Sequence, residues 1–184
     1  MLPIPNASTL PDPALPLFRE AHFLTFNYTN TLEKAYGIDK NKILYIHGRA
    51  DDPNSDIVLG HDWNPNDVPK LDEQGDEDAD MRIIEGNSIV NSYFGKTFKP
   101  SEEIIKHNRP FFKSLSSVDH IYVLGHSLSD VDSLYFFKIK NFVHKHCLWT
   151  VTYYREEEKQ KHEDFLARIG VDDEQINLIL MKDL

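Results

Sequence analysis

Three short polar stretches carry the residues best suited to chemistry: Phe26-Asn27-Tyr28-Thr29, Ile46-His47-Gly48 and Gly125-His126-Ser127. Each follows an apolar run that reads as a β-strand. An imidazole exchanges protons near neutral pH, so His47 could act as a general base. A His before a Gly could equally fix a neighbouring loop by a hydrogen bond. Asn27 has the same two readings, since a strand-end Asn often closes a turn through its own side chain. Gly48 and Gly125 would let a ligand approach the backbone closely. Helix starts after Asn27 and Ser127 would favour an anionic group such as phosphate. Asp130 and Asp132 read as helix-start acids first and ligand contacts second. Tyr28, Trp63, Tyr93 and Tyr135 could stack on a base, although core packing is the ordinary role of each.

Two other chemistries compete for the same residues. Gly125-His-Ser-Leu-Ser129 resembles a hydrolase nucleophile elbow, G-x-S-x-G, with Ser127 as nucleophile. The fifth position is Ser129 rather than Gly, which would crowd the strained turn. A hydrolase would also need an acid and then a His downstream, where His144, His146 and His162 stand. Among the nine histidines, His144-x-His146 and the His61-Asp62 pair have ligand chemistry for zinc. Two ligands per cluster are too few, so no metal is expected.

The elements that must position these residues alternate along the chain. Residues 22–26, 42–46 and 57–59 read as strands, with a helix to about Tyr36 that stops at Gly37. Thr29 or Asn30 could cap that helix, with Glu33 in capping-box position to Asn30. A helical pattern resumes near Ala79, where Gly86 and Gly95 weaken it. Ser101 reads as the N-cap of a further helix, split or kinked by Pro110. Residues 121–124 read as a strand buried on both faces, followed by a helix over about 130–143. A strand over 147–153, a charged helix over 156–169 closed by Gly170, and a strand over 176–180 complete the pattern. The class is therefore α/β, with a mainly parallel sheet flanked by helices. If the strands are parallel neighbours, all three polar clusters share one sheet edge, where open α/β sheets bind ligands.

Residues 1–17 hold five of the ten prolines and read as an extended arm. Residues 18–184 read as a single domain with an acidic mobile loop at about 64–80. Thirty acids against twenty bases give a formal net charge of −10, which disfavours general nucleic-acid binding. The single cysteine, Cys147, excludes an intrachain disulfide and suits a reducing cytoplasm. No apolar run reaches membrane-spanning length.

Taken together, Phe26-Asn-Tyr-Thr-Asn-Thr-Leu-Glu33, Ile46-His-Gly48, Gly60-His61 and Gly125-His-Ser-Leu-Ser-Asp-Val-Asp132 with Tyr135-Phe136 resemble the AbiH family of bacterial phage abortive-infection proteins. The order of motifs is similar, more distantly, to sirtuin-like NAD-binding domains. That resemblance implies a Rossmann-like or sirtuin-like core and NAD as cofactor or substrate. By resemblance, Asn27 would position the nicotinamide ribose or the attacking water, and His47 would be the base. Gly125 and Ser127 would contact the ribose–phosphate part, with Tyr28, Thr29, Gly48, His126, Asp130 and Asp132 completing the surface. Position 29 is Thr where the sirtuin-like pattern has Asp. The family's glycine-rich opening strand has no counterpart, so an incomplete domain or a fragment is expected. A missing strand would leave an exposed edge or apolar patch, and hence a tendency to homo-oligomers. The implied function is phage defence through nucleotide or NAD binding with glycosidic cleavage. The alternatives are a non-enzymatic nucleotide- or protein-binding defence module, or a serine hydrolase using Ser127.

Overall fold

Two short runs rich in aromatic and branched residues, Phe23–Thr25 (β1) and Ile43–Tyr45 (β2), form the first sheet of the computed structural model, which describes residues 21–61 and 81–184. The strands pair in parallel, with Phe23 opposite Ile43 and Thr25 opposite Tyr45. A parallel pair needs a crossover. Here it is one helical turn, Thr31–Lys34 (α1), then a 3-10 turn at Lys40–Lys42.

The second sheet has three strands, His120–Val123 (β3), Leu148–Tyr153 (β4) and Ile176–Leu180 (β5). They run parallel in the order β3-β4-β5. Helix Ser133–Phe142 (α5) crosses from β3 to β4, and Glu156–Arg168 (α6) crosses from β4 to β5. β4 is the central strand, and Trp149, Thr150, Val151, Thr152 and Tyr153 are all buried. The crossover helices add Tyr135, Phe136, Ile139, Phe165 and Leu166 to the core. Phe136 and Phe165 meet edge-on at 5.6 Å, joining α5 to α6. Each such side chain contributes about 1.5–3 kcal/mol by leaving water.

Before β3 come Met81–Lys96 (α2), Ser101–His107 (α3) and Arg109–Ser114 (α4). Asn108 separates α3 from α4, and Pro110 lies in the first turn of α4, where a missing N–H costs no bond. α2 runs unbroken through Gly86 and Gly95 and buries none of its residues; Ile83, Ile89 and Tyr93 are exposed. The chain forms two compact units, Met1–Leu59 and Gly60–Leu184. Among the described residues no helix is long and apolar enough to cross a membrane.

The architecture is α/β with parallel strands flanked by helices, as expected, but several local expectations fail. The described residues form two sheets, so the three polar clusters divide between them: the first two on β1 and β2, the third on β3. Residues 57–59 are not a strand. Ile57 and Leu59 are exposed, and Val58 N–H instead donates to His47 O at 3.0 Å. β3 is only half-buried at Ile121 and Tyr122, because β4 is its sole strand neighbour among the described residues. The N-cap before α3 is Pro100, and Ser101 is already helical. Asn30 precedes α1 without a side-chain cap, its amide donating to Asp51 instead, and the Glu33 side chain is taken by Tyr45 and Arg49. The Pro-rich arm, the acidic loop, the helix start near Ala79, and Asp62 and Trp63 lie outside the described residues.

Candidate functional site

In the first unit, the strand ends bring the Asn27 and His47 clusters together. Asn27 follows β1 and is exposed, its backbone N–H donating to Thr25 Oγ1 at 3.1 Å. His47 follows β2 and is buried, with its ring edge-on to Phe26 at 5.4 Å and stacked with Tyr28 at 6.4 Å. Tyr28 O accepts from Ala50 N–H at 2.9 Å, and the Tyr28 hydroxyl donates to Val58 O at 2.8 Å. Thr29 is exposed and shares a hydroxyl–hydroxyl hydrogen bond with Thr31 at 2.9 Å. Gly48 has a structural reason to be Gly: at φ 85°, a Cβ there would stand 2.2 Å from Asp56 O. The backbone that approaches Gly48 is the chain's own.

Beside these loops lies a polar network absent from the sequence reading. Arg49 donates to Glu33 at 2.8 Å and to Asp51 at 3.1 Å, and its guanidinium lies 4.9 Å from the centre of the Tyr45 ring. The Tyr45 hydroxyl donates to Glu33 at 3.0 Å, and Asn30 donates to Asp51. Burial, then the hydrogen bond to Glu33, pushes the Tyr45 phenol up to about 12. The Arg49 hydrogen bond holds Asp51 below the usual carboxylate range. Glu33 thus ties α1 to the loop after β2 instead of capping its own helix.

In the second unit, the turn after β3 is built on a buried charge pair. Gly125 N–H donates to Thr152 Oγ1 at 3.0 Å, anchoring the turn to the central strand. His126 Nδ1 accepts from Leu128 N–H at 2.9 Å. Leu128 is buried and left-handed at φ 50°, a conformation that costs an L-residue roughly 1–2 kcal/mol. The bond to His126 offsets part of that cost. The other ring nitrogen, Nε2, lies 3.6 Å from Asp132 Oδ2, and Asp132 Oδ1 lies 3.2 Å from Lys99 Nζ. Asp132 is the N-cap of α5 but its side chain caps nothing; it faces Lys99 and His126. Asp132 thus stands at a helix start as expected, but its carboxylate is turned to Lys99 and His126. Asp130 is exposed and pairs with Arg168.

Lys99 was missed from sequence, although a signal existed in Gly60-His61. His61 N–H donates to Thr97 O at 3.0 Å, and Lys99 N–H donates to His61 O at 2.7 Å. Gly60, at φ 124°, is needed because a Cβ would fall 1.6 Å from Thr97 O. The Gly-His motif thus pins the segment that delivers Lys99. His162, on α6, is buried, and desolvation holds its imidazole below the ordinary range. Glu158 opposes that shift and His126 adds to it.

Ser127 is exposed, and neither nitrogen of His126 is turned to it as a base. Tyr135 is fully buried, which leaves it core packing rather than base stacking, whereas Tyr93 is exposed on α2. The rings of His144 and His146 lie 5.5 Å apart, and among the described residues no group of three potential ligands could hold a metal ion.

A family model described as bacteriophage abortive infection AbiH matches residues 5–153. The chain belongs to the AbiH family. The AbiH match includes Asn27, His47, Lys99, His126 and Asp132, and it ends at the last residue of β4. α6 and β5, with His162 and Arg168, lie beyond it. AbiH membership marks the chain as a bacteriophage abortive-infection defence protein. No curated protein and no solved structure matches the chain.

Proposed function

We propose that this AbiH chain serves phage defence in the bacterial cytoplasm by binding a nucleotide at the carboxyl end of its parallel strands. The observation that carries this reading is the 125–129 turn. Ser127 and Ser129 are exposed there, at the carboxyl end of a parallel strand, the usual ligand position in such sheets. Exposed hydroxyls suit a phosphate or ribose. Asp132 would repel an anion, but Lys99 cancels its charge at 3.2 Å. Calorimetry with NAD and with ATP tests the reading. Wild type should bind one of them, and Ser127→Trp, which fills the turn from the solvent side, should not. Wild type that binds neither at millimolar concentration would overturn it.

A second, separate reading is glycosidic cleavage of NAD at the strand ends of the first unit. It is favoured by Asn27, exposed just after β1, next to the paired strand that His47 follows. Asn27 would orient the ribose or a water molecule, and His47 would take the proton once Phe26 and Tyr28 made way. Nicotinamide release in a timed assay, abolished by Asn27→Ala and by His47→Ala, would support cleavage. Intact NAD together with a raised melting temperature would leave a binding module.

A further inference from the structure

The 125–128 turn depends on the protonation form of one ring. An imidazole whose Nδ1 accepts a backbone N–H is neutral and carries its proton on Nε2. His126 accepts from Leu128 at Nδ1, so Nε2 carries the proton and faces Asp132. The imidazolium has two N–H donors and no acceptor, so it could not hold Leu128. A buried carboxylate with no other partner would favour that imidazolium. Asp132 has another partner in Lys99, which is itself buried. On α6, His162 lies near enough to interact with the ring. Glu158 favours charge on His162, while His126 and His162 oppose charge on each other. Asp130 is paired with Arg168 on the exposed side of the turn.

We propose that Lys99 is the positioning residue of this turn: by neutralising Asp132 it keeps His126 in the neutral Nε2–H form that holds Leu128 left-handed. The consequence for nucleotide binding rests on the reading above; the ring's protonation form does not.

The test is long-range ¹H–¹⁵N NMR of the histidine rings in the full chain at pH 7. Wild type should show His126 with a bare Nδ1 and a protonated Nε2. Lys99→Met should convert it to imidazolium, and Lys99→Arg should restore the neutral ring. Lys99→Met with Asp132→Asn removes both charges and should also leave the ring neutral, which separates charge from lost packing. A His126 that is charged or Nδ1-protonated in wild type overturns the proposal even if every variant unfolds. So does a neutral ring in folded Lys99→Met. Nucleotide affinity should fall about tenfold in Lys99→Met and recover in Lys99→Arg. If wild type binds no nucleotide, the functional reading fails while the ring spectra still decide the role of Lys99.

Discussion

Lys99 Nζ lies 3.2 Å from Oδ1 of Asp132, and both side chains are buried. Thirty-three residues of sequence separate the partners. Such a pair adds little net stability over apolar residues, but removing Lys99 leaves Asp132 to the longer, 3.6 Å pairing with His126. Lys99→Met alone should therefore be destabilising in urea denaturation, by less than the roughly 3–5 kcal/mol of an uncompensated buried charge. Lys99→Met with Asp132→Leu should cost clearly less than the sum of the two single changes. Additive losses would mean that the charges do not interact in the folded chain.

Gly48 and Gly86 make opposite forecasts for the same substitution. Gly48→Ala forces a Cβ against Asp56 O at a left-handed φ of 85° and should cost at least about 2 kcal/mol. Gly86 sits within α2 with open space around its Cβ position. Gly86→Ala should stabilise the chain by about 0.5–1 kcal/mol. Chemical denaturation of both variants checks the pair.

His162 gives stability a direction in pH. Its folded-state value lies below the ordinary imidazole value of about 6.5, chiefly through desolvation. Between the two values the unfolded chain binds more protons than the folded one, so stability rises with pH there. The contribution is complete above about 6.5 and is lost as pH falls through that value. His162→Gln should flatten the stability profile between about pH 7 and pH 5 relative to wild type. An unchanged slope would assign the pH response to other groups.

Burial pushes the Cys147 thiol up to about 11, with Asp119 adding to the shift. Thiolate is the reactive form, so little is available near pH 8. Alkylation of the native chain at pH 8 should be slow, and urea should release it to the rate of an ordinary thiol. Rapid labelling without denaturant would show that the strand end around Cys147 opens.

What could be read from the residues follows how local each signal is. The apolar runs of β1, β2, β4 and β5 and the crossover pattern are local, and so is the stop at Gly170, which takes φ 85°. Non-local contacts overruled the rest. Glu33 looked like a capping partner for Asn30, but Arg49 and the Tyr45 hydroxyl engage it from β2 and its loop. Ile57-Val-Leu59 has strand-like residues but lies exposed, bonded through Val58 to His47 and Tyr28. Among the candidate site residues, the nearness of the Asn27 and His47 clusters follows from the β1–β2 pairing, and the bond of His126 to Leu128 is local. Lys99 is set near Asp132 by the Gly60-His61 bridge to Phe98, a non-local contact at which the Gly-His pair only hints.

The most direct measurement is an NAD titration of the ¹⁵N-labelled full chain followed through its backbone amides. Saturable shifts centred on residues 125–132, and lost in Ser127→Trp, are the expected result. No shift at millimolar NAD, or shifts that leave this turn untouched, would contradict nucleotide binding there.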